Sequence, residues 1–203
     1  MPRNLPIIAD ENIYPHPPLD NVDDEYYDQL QTTVTGNWQS WFYQPNIVGE
    51  FWGPAKLGKH GFNCWVIEQP NTFVDKYVAG LLTPLFSKMT AFCECETILR
   101  SRLDMTLYEA FNNKCYAHID DIRPHIATIY YFNDSDGKTV IYNEEYDKEK
   151  GMPRELTIQE EIEPKGNRLL VFDGKYIHTG STPSKHNNRI ILNTNLCKDA
   201  PGN

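Results

Sequence analysis

The chain has 203 residues, of which 40% are hydrophobic and 12% aromatic, and its formal net charge at pH 7 is −9. This length suits one domain with a single sizeable core. An acidic chain without a basic run lacks the Lys/Arg footprint that tight, non-specific nucleic-acid binding requires, so we expect no nucleic-acid partner.

The cysteines and the apolar runs indicate the cellular compartment in which the protein is expected. Five cysteines without a CxxC pair favour neither a disulfide framework nor a zinc ribbon, and they fit a reducing compartment. No apolar run approaches the length of a membrane span, and residues 1–20 lack the pattern of a signal peptide. We therefore expect a cytoplasmic protein without a membrane partner.

The N-terminal part, residues 1–92, predicts an arm followed by supporting helices. Its proline-rich start indicates an extended arm with a short strand at Leu5 to Ala9. The segment 23–33 begins with acidic residues and spaces its apolar residues as a helix does. A strand is predicted over 61–70.

A second helix is predicted to begin after Asn71, taken as its N-cap, and to be kinked or ended by Pro84. An apolar stripe with a 3.6-residue period supports this helix. The stripe consists of Phe73, Val74, Tyr77, Val78, Leu81 and Leu82.

From residue 93 to residue 197 the pattern changes to short strands separated by turns. The segment 96–111 alternates between two faces, an apolar one and a polar one. The polar face carries Arg100, Arg102, Asp104, Thr106 and Tyr108. Further strand candidates are 125–132, 139–142, 154–162, 168–172, 176–178 and 189–196. About eight strands after a helical segment predict a mainly β fold with supporting helices, a double-sheet sandwich or jelly roll, within one domain over 1–203.

His118 and Asp120 lie two residues apart beside a predicted core strand, so a strand would direct both to the same side. With one more histidine they would form the 2-His-1-carboxylate set of non-haem Fe(II) oxygenases, which leaves open positions on the metal. His178, which ends a short strand later in the chain, is the candidate third ligand. The alternative interpretation is a surface histidine beside an acidic turn.

Arg189 opens the apolar strand 189–196. A positive charge at the start of an otherwise apolar strand is costly unless it meets an anion. The alternative is an arginine exposed to solvent at the strand end. The order of the metal candidates and Arg189 along the chain favours the buried interpretation.

Segment 94–197 resembles the catalytic double-stranded β-helix of the Fe(II)- and 2-oxoglutarate-dependent oxygenases, most of all their prolyl-hydroxylase-like branch. The matching motifs follow the family's order and cover about half of the chain. They are "HID" (118–120), "IYYFN" (129–133), "IEPKGNRLLVF" (162–172), "IH" (177–178) and the arginine at 189. The resemblance implies a jelly-roll, cupin-like fold with its catalytic core over 93–197.

The resemblance also implies the site and its cofactors, which are Fe(II), 2-oxoglutarate as co-substrate, and O2. His118, Asp120 and His178 would bind iron. Arg189 would pair with the distal carboxylate of 2-oxoglutarate through its planar, two-pronged head. Further co-substrate contacts would come from Tyr131, Tyr108 and Asn193, and substrate contacts from Asn195 and Asp104.

The remaining histidines and acidic residues have structural or solvated interpretations. We expect Asp121 to cap a turn, because its strand parity is opposite to that of His118. His125, directly after a proline, is interpreted as structural. His16 and His186 are expected in solvent, and His60 in a loop over the pocket mouth.

The resemblance implies a dioxygenase that hydroxylates an unactivated C–H bond and releases succinate and CO2. The substrate would be a prolyl or other residue of a peptide or protein, or a free amino acid. A peptide could be gripped by the loop 143–157, which also reads as a charged, solvated insertion. The alternatives are a cupin-like metal or small-molecule binding module without oxygenase activity, and a nucleic-acid-oxidising member of the same family. The compact form resembles small oxygenases of bacteria and phages.

Overall fold

The structure, a computed structural model, describes residues 8–10, 22–37, 39–48, 59–111 and 113–198. These residues form eleven strands and two helices. In chain order they are β1 (Ile8–Asp10), α1 (Val22–Thr35), β2 (Phe42–Gln44), β3 (Gly61–Gln69), β4 (Thr72–Phe73), α2 (Lys76–Cys93), β5 (Thr97–Leu107), β6 (Ile126–Tyr131), β7 (Thr139–Glu145), β8 (Ile158–Ile162), β9 (Arg168–Asp173), β10 (Tyr176–Gly180) and β11 (Asn188–Cys197). Neither helix of this described part is long and apolar enough to cross a membrane.

The strands form two antiparallel sheets. The main sheet has the order β1-β9-β6-β11-β5-β3-β2, with β4 paired to β3, and the small sheet has the order β10-β7-β8. The segment before β6 adds to the small sheet, because Lys114 pairs with Ser181 and His118 pairs with His178 through isolated bridges. The chain thus passes repeatedly from one sheet to the other, and the predicted double-sheet jelly roll is confirmed.

All the strands predicted from the C-terminal half are present, and the boundaries differ by a few residues. The predicted first strand is also present, as β1, although Leu5 lies outside the described residues. The helix predicted over 23–33 is α1. Strand β3 of the N-terminal half pairs with β5 along most of its length, so both halves of the chain contribute to the main sheet.

The start of the second helix was predicted wrongly. Asn71 has a positive φ of 63° and turns the chain between β3 and β4, instead of capping a helix. The N-cap is Asp75, whose carboxylate accepts a hydrogen bond from the Val78 amide at 3.0 Å. The predicted stripe was therefore shifted: Tyr77 is 73% exposed.

Pro84 lies inside α2 and does not end it. Buried side chains lie on both sides of the proline, Leu82 before it and Leu85 after it, and both are fully excluded from solvent. Packing of this face against the main sheet keeps the two parts of the helix together, although proline removes one backbone hydrogen bond.

The main sheet separates two apolar clusters. Its outer face packs against both helices through residues such as Leu30, Leu82, Met89 and Leu192. Its inner face contributes to a smaller cluster between the sheets, which consists of Ala127, Ile129, Tyr131, Ile141, Ile162, Leu170, Phe172 and Ile191. This inner face also carries the polar residues of β5 and β11 that the alternation predicted.

Candidate metal centre

Two histidines meet where the segment before β6 pairs with β10. The backbones of His118 and His178 exchange two hydrogen bonds of 2.9 Å each, and their ring centroids lie 4.6 Å apart. The Nδ1 atoms of both rings face backbone carbonyl oxygens, at 2.9 Å from Tyr116 and at 3.1 Å from Tyr176. These contacts orient the rings and leave both Nε2 atoms on the side of Asp120.

Asp120 completes a compact group of potential metal ligands. Its carboxylate oxygens lie 3.8 Å from His118 Nε2 and 3.6 Å from His178 Nε2. The ligand atoms of these three residues all lie within 4.8 Å of one another, as a shared ion would require. His178 Nε2 is buried and has no hydrogen-bond partner among the described residues. The predicted triad is therefore assembled in space.

The protonation states of His118 and Asp120 suit a metal. Burial, followed by the neighbouring imidazole of His178, lowers the pKa of His118 to about 3. Burial opposes the charge on Asp120, but Arg100 and the two imidazoles outweigh this effect and hold the pKa of Asp120 well below its usual value. At neutral pH His118 is a neutral imidazole and Asp120 a carboxylate, which are the forms that bind metal ions.

Asp120 is held in place by three side chains of the main sheet. Arg100 Nη2 donates to Asp120 Oδ1 at 2.6 Å, Asn193 Nδ2 contacts both carboxylate oxygens at 3.1 Å, and Asn195 Nδ2 donates to Oδ2 at 3.1 Å. Arg100 also donates Nε to Asn195 Oδ1. The sequence places Arg100 on the polar face of its strand, but nothing in its pattern identifies Asp120 as its partner.

A second polar cluster surrounds Arg189 at the far end of the space between the sheets. Arg189 Nη2 donates to Thr139 Oγ1 at 2.7 Å, and the same hydroxyl lies 2.7 Å from the Tyr131 hydroxyl. The Arg189 guanidinium lies 5.6 Å from the centroid of the Tyr131 ring. Thr139 was not predicted as a site residue, since a threonine that opens a β-branched strand has nothing in its sequence to distinguish it.

Two glycines make room for the Arg189 side chain. A Cβ on Gly137 would lie 3.1 Å from Arg189 Cδ and 2.5 Å from the Ser181 carbonyl oxygen. A Cβ on Gly180 would lie 3.3 Å from Arg189 Nη1. Larger residues at these two positions would displace the guanidinium.

Arg189 is buried without a counter-ion in the described part of the chain. It is 4% exposed, and no described carboxylate lies within 4.0 Å of its nitrogens. Its Nε atom is also buried without a hydrogen-bond partner among the described residues. An isolated buried charge is costly, so the site fits an anionic ligand.

The other residues predicted to line the site lie outside both clusters. Asp104 is buried and forms an ion pair with Arg102 at 2.8 Å, and burial raises the pKa of its carboxyl. Tyr108 lies just beyond the end of β5 and is 56% exposed. Their roles in binding remain predictions.

The residues interpreted as structural occupy distinct positions. Asp121 accepts from the Arg123 amide at 2.8 Å, as a turn cap does. His125 is buried, and its ring fills the space that a side chain at position 174 would need. His186 contacts Asp136 at 3.0 Å and His60 is exposed, whereas His16 lies outside the described residues.

Comparisons with known proteins identify the fold. No protein-family model matches the chain, and no curated protein matches it in sequence. A 2OG-Fe(II) oxygenase family oxidoreductase from Burkholderia pseudomallei is similar in structure, with a TM-score of 0.60, 13% identity, and coverage of 91% of this chain and 83% of that one. The non-haem alpha-ketoglutarate-dependent epimerase SnoN from nogalamycin biosynthesis gives a TM-score of 0.61 at 8% identity, over 86% and 73% of the two chains.

A third similar structure is a prolyl hydroxylase from Trichoplax adhaerens in complex with a peptide fragment of the hypoxia-inducible factor oxygen degradation domain. Its TM-score is 0.50 at 10% identity, and the alignment covers 86% of this chain and 90% of that one. Sequence identities this low support a shared fold and no further property. With the two sheets, their order and the His-Asp-His cluster between them, the chain has the double-stranded β-helix fold of the 2OG-Fe(II) oxygenases.

Proposed function

We propose that the protein is an Fe(II)- and 2-oxoglutarate-dependent dioxygenase that hydroxylates an unactivated C–H bond. The observation that carries this proposal is the coexistence of two features in one inter-sheet space. One is the His118–Asp120–His178 ligand set, and the other is the buried guanidinium of Arg189, which has no counter-ion among the described residues.

The ligand set fits Fe(II). Two neutral imidazoles and one carboxylate are the donors of the facial triad that leaves open positions for further ligands. The hydrogen bonds from Arg100, Asn193 and Asn195 fix the Asp120 carboxylate, so its orientation does not depend on the metal. The buried Nε2 of His178, which has no hydrogen-bond partner among the described residues, would gain a partner in the metal.

The Arg189 cluster fits the distal carboxylate of 2-oxoglutarate. Arginine offers two parallel N–H donors to a carboxylate, and Thr139 and Tyr131 add hydroxyl groups at the same place. A purely metal-binding, cupin-like module has no need for a dicarboxylate clamp, so this cluster favours the oxygenase over that alternative.

The chain's own residues would bind and orient the metal and the co-substrate, and they would keep water away from the reaction. Bound iron and 2-oxoglutarate supply the oxidative chemistry with O2, releasing succinate and CO2. Arg189 and Thr139 would anchor the co-substrate, while the triad holds the metal. Phe172 packs edge-on against His178 with ring centroids 5.0 Å apart, and Leu170 and Ile141 extend this apolar wall, which excludes water.

The substrate class proposed from the sequence is an amino-acid side chain, in a peptide or protein or as a free amino acid. The prolyl hydroxylase with a similar fold is in complex with a peptide fragment, which makes a peptide one of these candidates. We retain the proposal of one domain over residues 1–203, with the catalytic core in 93–197 and the preceding residues supporting it.

The decisive test is anaerobic titration of the protein with Fe(II) and 2-oxoglutarate. We expect the visible metal-to-ligand charge-transfer band of the ternary complex, and succinate release when O2 and a substrate are added. The variants His178→Ala and Asp120→Ala should lose both signals because each removes a ligand, whereas His186→Ala, a surface histidine, should retain them. Normal succinate release in either ligand variant would refute the proposal.

A further inference from the structure

On strands β5 and β11 and on the segment with the metal ligands, the described side chains that face the space between the sheets carry more positive than negative charge. The charged side chains on β5, β11 and the ligand segment that face this space are Arg100, Arg102, Asp104, Asp120 and Arg189. The nearby pair Lys59–Glu109, at 3.0 Å, is balanced within itself. Three arginines thus face two aspartates, a surplus of one positive charge.

Binding of Fe(II) and 2-oxoglutarate would not remove this surplus of positive charge. Arg102 is paired with Asp104 at 2.8 Å, and Arg189 would be paired with the distal carboxylate of 2-oxoglutarate. The charge of Fe(II) would be offset by Asp120 and the second carboxylate of the co-substrate. Among the described residues, Arg100 would keep only Asp120 as a counter-ion, and Asp120 would then be shared with a dication. Protonation of Asp104 would only enlarge the surplus.

The geometry of Arg100 leaves donors for a ligand. Its Nε and one Nη2 hydrogen are directed at Asn195 and Asp120, and neither Nη1 hydrogen donates to a described residue. The Arg100 side chain is 19% exposed, so solvent reaches it. Its guanidinium lies 5.9 Å from the centroid of the Trp65 ring, within cation–π range, and the Arg102 guanidinium lies nearer to the same ring, at 5.2 Å.

We propose that Arg100, beside Trp65, is the substrate-recognition residue, and that the substrate is a small molecule with a carboxylate that pairs with it. This inference rests on the proposed function. It narrows the proposed substrate from any amino-acid residue to a small molecule with a free carboxylate group, such as a free amino acid. Because Arg100 contacts Asp120 directly, a carboxylate bound to it brings the neighbouring carbons close to the metal ligands.

The charge of the whole chain favours a small ligand over a polyanion. A net charge of −9 repels nucleic acid, whereas one partly buried cation is enough to select a single carboxylate. A blocked internal peptide has no carboxylate at the reacting residue and would leave Arg100 unpaired. An unpaired buried polar group is what gives such sites their selectivity.

The test compares free acids with their carboxamides. The wild-type protein is loaded with Zn(II) in place of Fe(II) and saturated with 2-oxoglutarate, and the standard L-amino acids are titrated by calorimetry, each as acid and as amide. We expect at least one acid to bind, and its amide to bind about tenfold or more weakly. The Fe(II) protein should release succinate with the same preference.

Variants assign the preference to Arg100. Arg100→Gln should reduce the preference for the acid to about threefold or less, and Arg100→Lys should keep part of it, since a point charge replaces the planar head. Arg123→Gln, an exposed arginine paired with Asp121, removes the same charge elsewhere and should change nothing. The charge-transfer band reports whether each variant still holds Fe(II) and 2-oxoglutarate. If Arg100→Gln does not show the band, the conclusion is drawn from Arg100→Lys instead.

The outcomes separate this inference from the proposed function. Absence of the charge-transfer band in the wild-type protein would refute the proposed function and this inference together. A normal band with amides, blocked prolyl peptides or single-stranded oligonucleotides preferred to acids would overturn the inference alone. So would a band without binding of any acid, or an acid preference that is undiminished from wild type in the Arg100 variant that retains the band.

Discussion

At the scale of single residues, the site depends on side chains that hold other side chains. Arg100, Asn193 and Asn195 fix the carboxylate of Asp120, and Thr139 connects Arg189 with Tyr131. Hydrogen bonds to charged groups contribute about 1.5–3 kcal/mol each, so loss of one such contact weakens a binding site without destroying it.

Arg189 and Thr139 are expected to differ in their effects on the co-substrate. Arg189→Ala should raise the KM for 2-oxoglutarate at least about 30-fold, because a buried carboxylate loses its charged partner. Thr139→Val keeps the shape and removes the hydroxyl, so we expect a rise of about tenfold. Succinate release at varied 2-oxoglutarate measures both.

A matched control for Thr139 is Thr83→Val at an exposed position of α2, which should leave the KM unchanged. An unchanged KM in Arg189→Ala would locate the clamp elsewhere.

At the scale of elements, the connection between β10 and β11 is held by one aspartate. Asp136 accepts hydrogen bonds from the Ser184 amide at 3.0 Å, the Ser184 hydroxyl at 2.8 Å and the Lys185 amide at 3.0 Å, and it contacts His186 Nδ1 at 3.0 Å. This connection joins the strand that carries His178 to the strand that carries Arg189. We therefore expect Asp136 to help position both strands through the backbone of this connection.

Asp136→Asn should lower the free energy of unfolding by about 1–2 kcal/mol at pH 7 and raise the KM for 2-oxoglutarate more than it lowers kcat. Burial opposes the charge of Asp136, but hydrogen bonds from His186, Lys185 and Ser184 outweigh it and hold the pKa of this carboxyl below its ordinary value of 3.8. A carboxyl whose pKa is lowered in the folded state gives stability that is fully present above the unfolded-state pKa. This stability is lost as the pH falls from the unfolded-state pKa through the folded-state pKa.

The difference in stability between wild type and Asp136→Asn should therefore be largest at neutral pH and shrink below about pH 4. Urea unfolding at several pH values measures it. Asp147→Asn is the matched control, since Asp147 also caps a loop, through the Glu149 amide at 2.8 Å, but on an exposed segment far along the chain from Arg189. A KM change of equal size in the control would contradict a positioning role for Asp136.

At the scale of the whole molecule, the two faces of the main sheet have different roles, one in folding stability and the other in the candidate site. Its outer face packs on the helices, and its inner face carries Arg100, Asn193 and Arg189. Because strand side chains alternate between the faces, neighbouring residues of β11 serve different purposes. Ile190 and Leu192 belong to the helix-side core, while Ile191 lines the space between the sheets.

Leu82→Ala on the helix side should lower the free energy of unfolding by about 2–5 kcal/mol, because Leu82 is fully buried. It should leave the affinities for Fe(II) and 2-oxoglutarate within about threefold of wild type at a temperature where the variant is folded, since the sheet lies between. Chemical unfolding and the charge-transfer titration measure the two effects. A large loss of affinity in the folded variant would show that the two faces are coupled.

Local patterns in the sequence determined the strands and the face to which each side chain belongs. Alternation over β5 and β11 needs no partner to be visible, since successive side chains of a strand point to opposite sides. The motifs around His118, His178 and Arg189 predicted that these residues form one site, because their order along the chain resembles that of the 2OG-Fe(II) oxygenases. The same local reasoning failed at Asn71, where the pairing of β4 with β3 determined the backbone conformation and moved the helix start to Asp75.

Only the tertiary structure decided which side chains meet. Arg100 and Asp120 are separated by 20 residues, and Arg189 and Thr139 by 50, so no pattern along the chain connects them. The sheet register does, because it places β5 beside β11 and directs their polar faces at the segment before β6. The sequence therefore determined the ligand types and their strands, whereas the charges that surround them, including the Arg100 guanidinium paired with Asp120, follow from packing between distant segments.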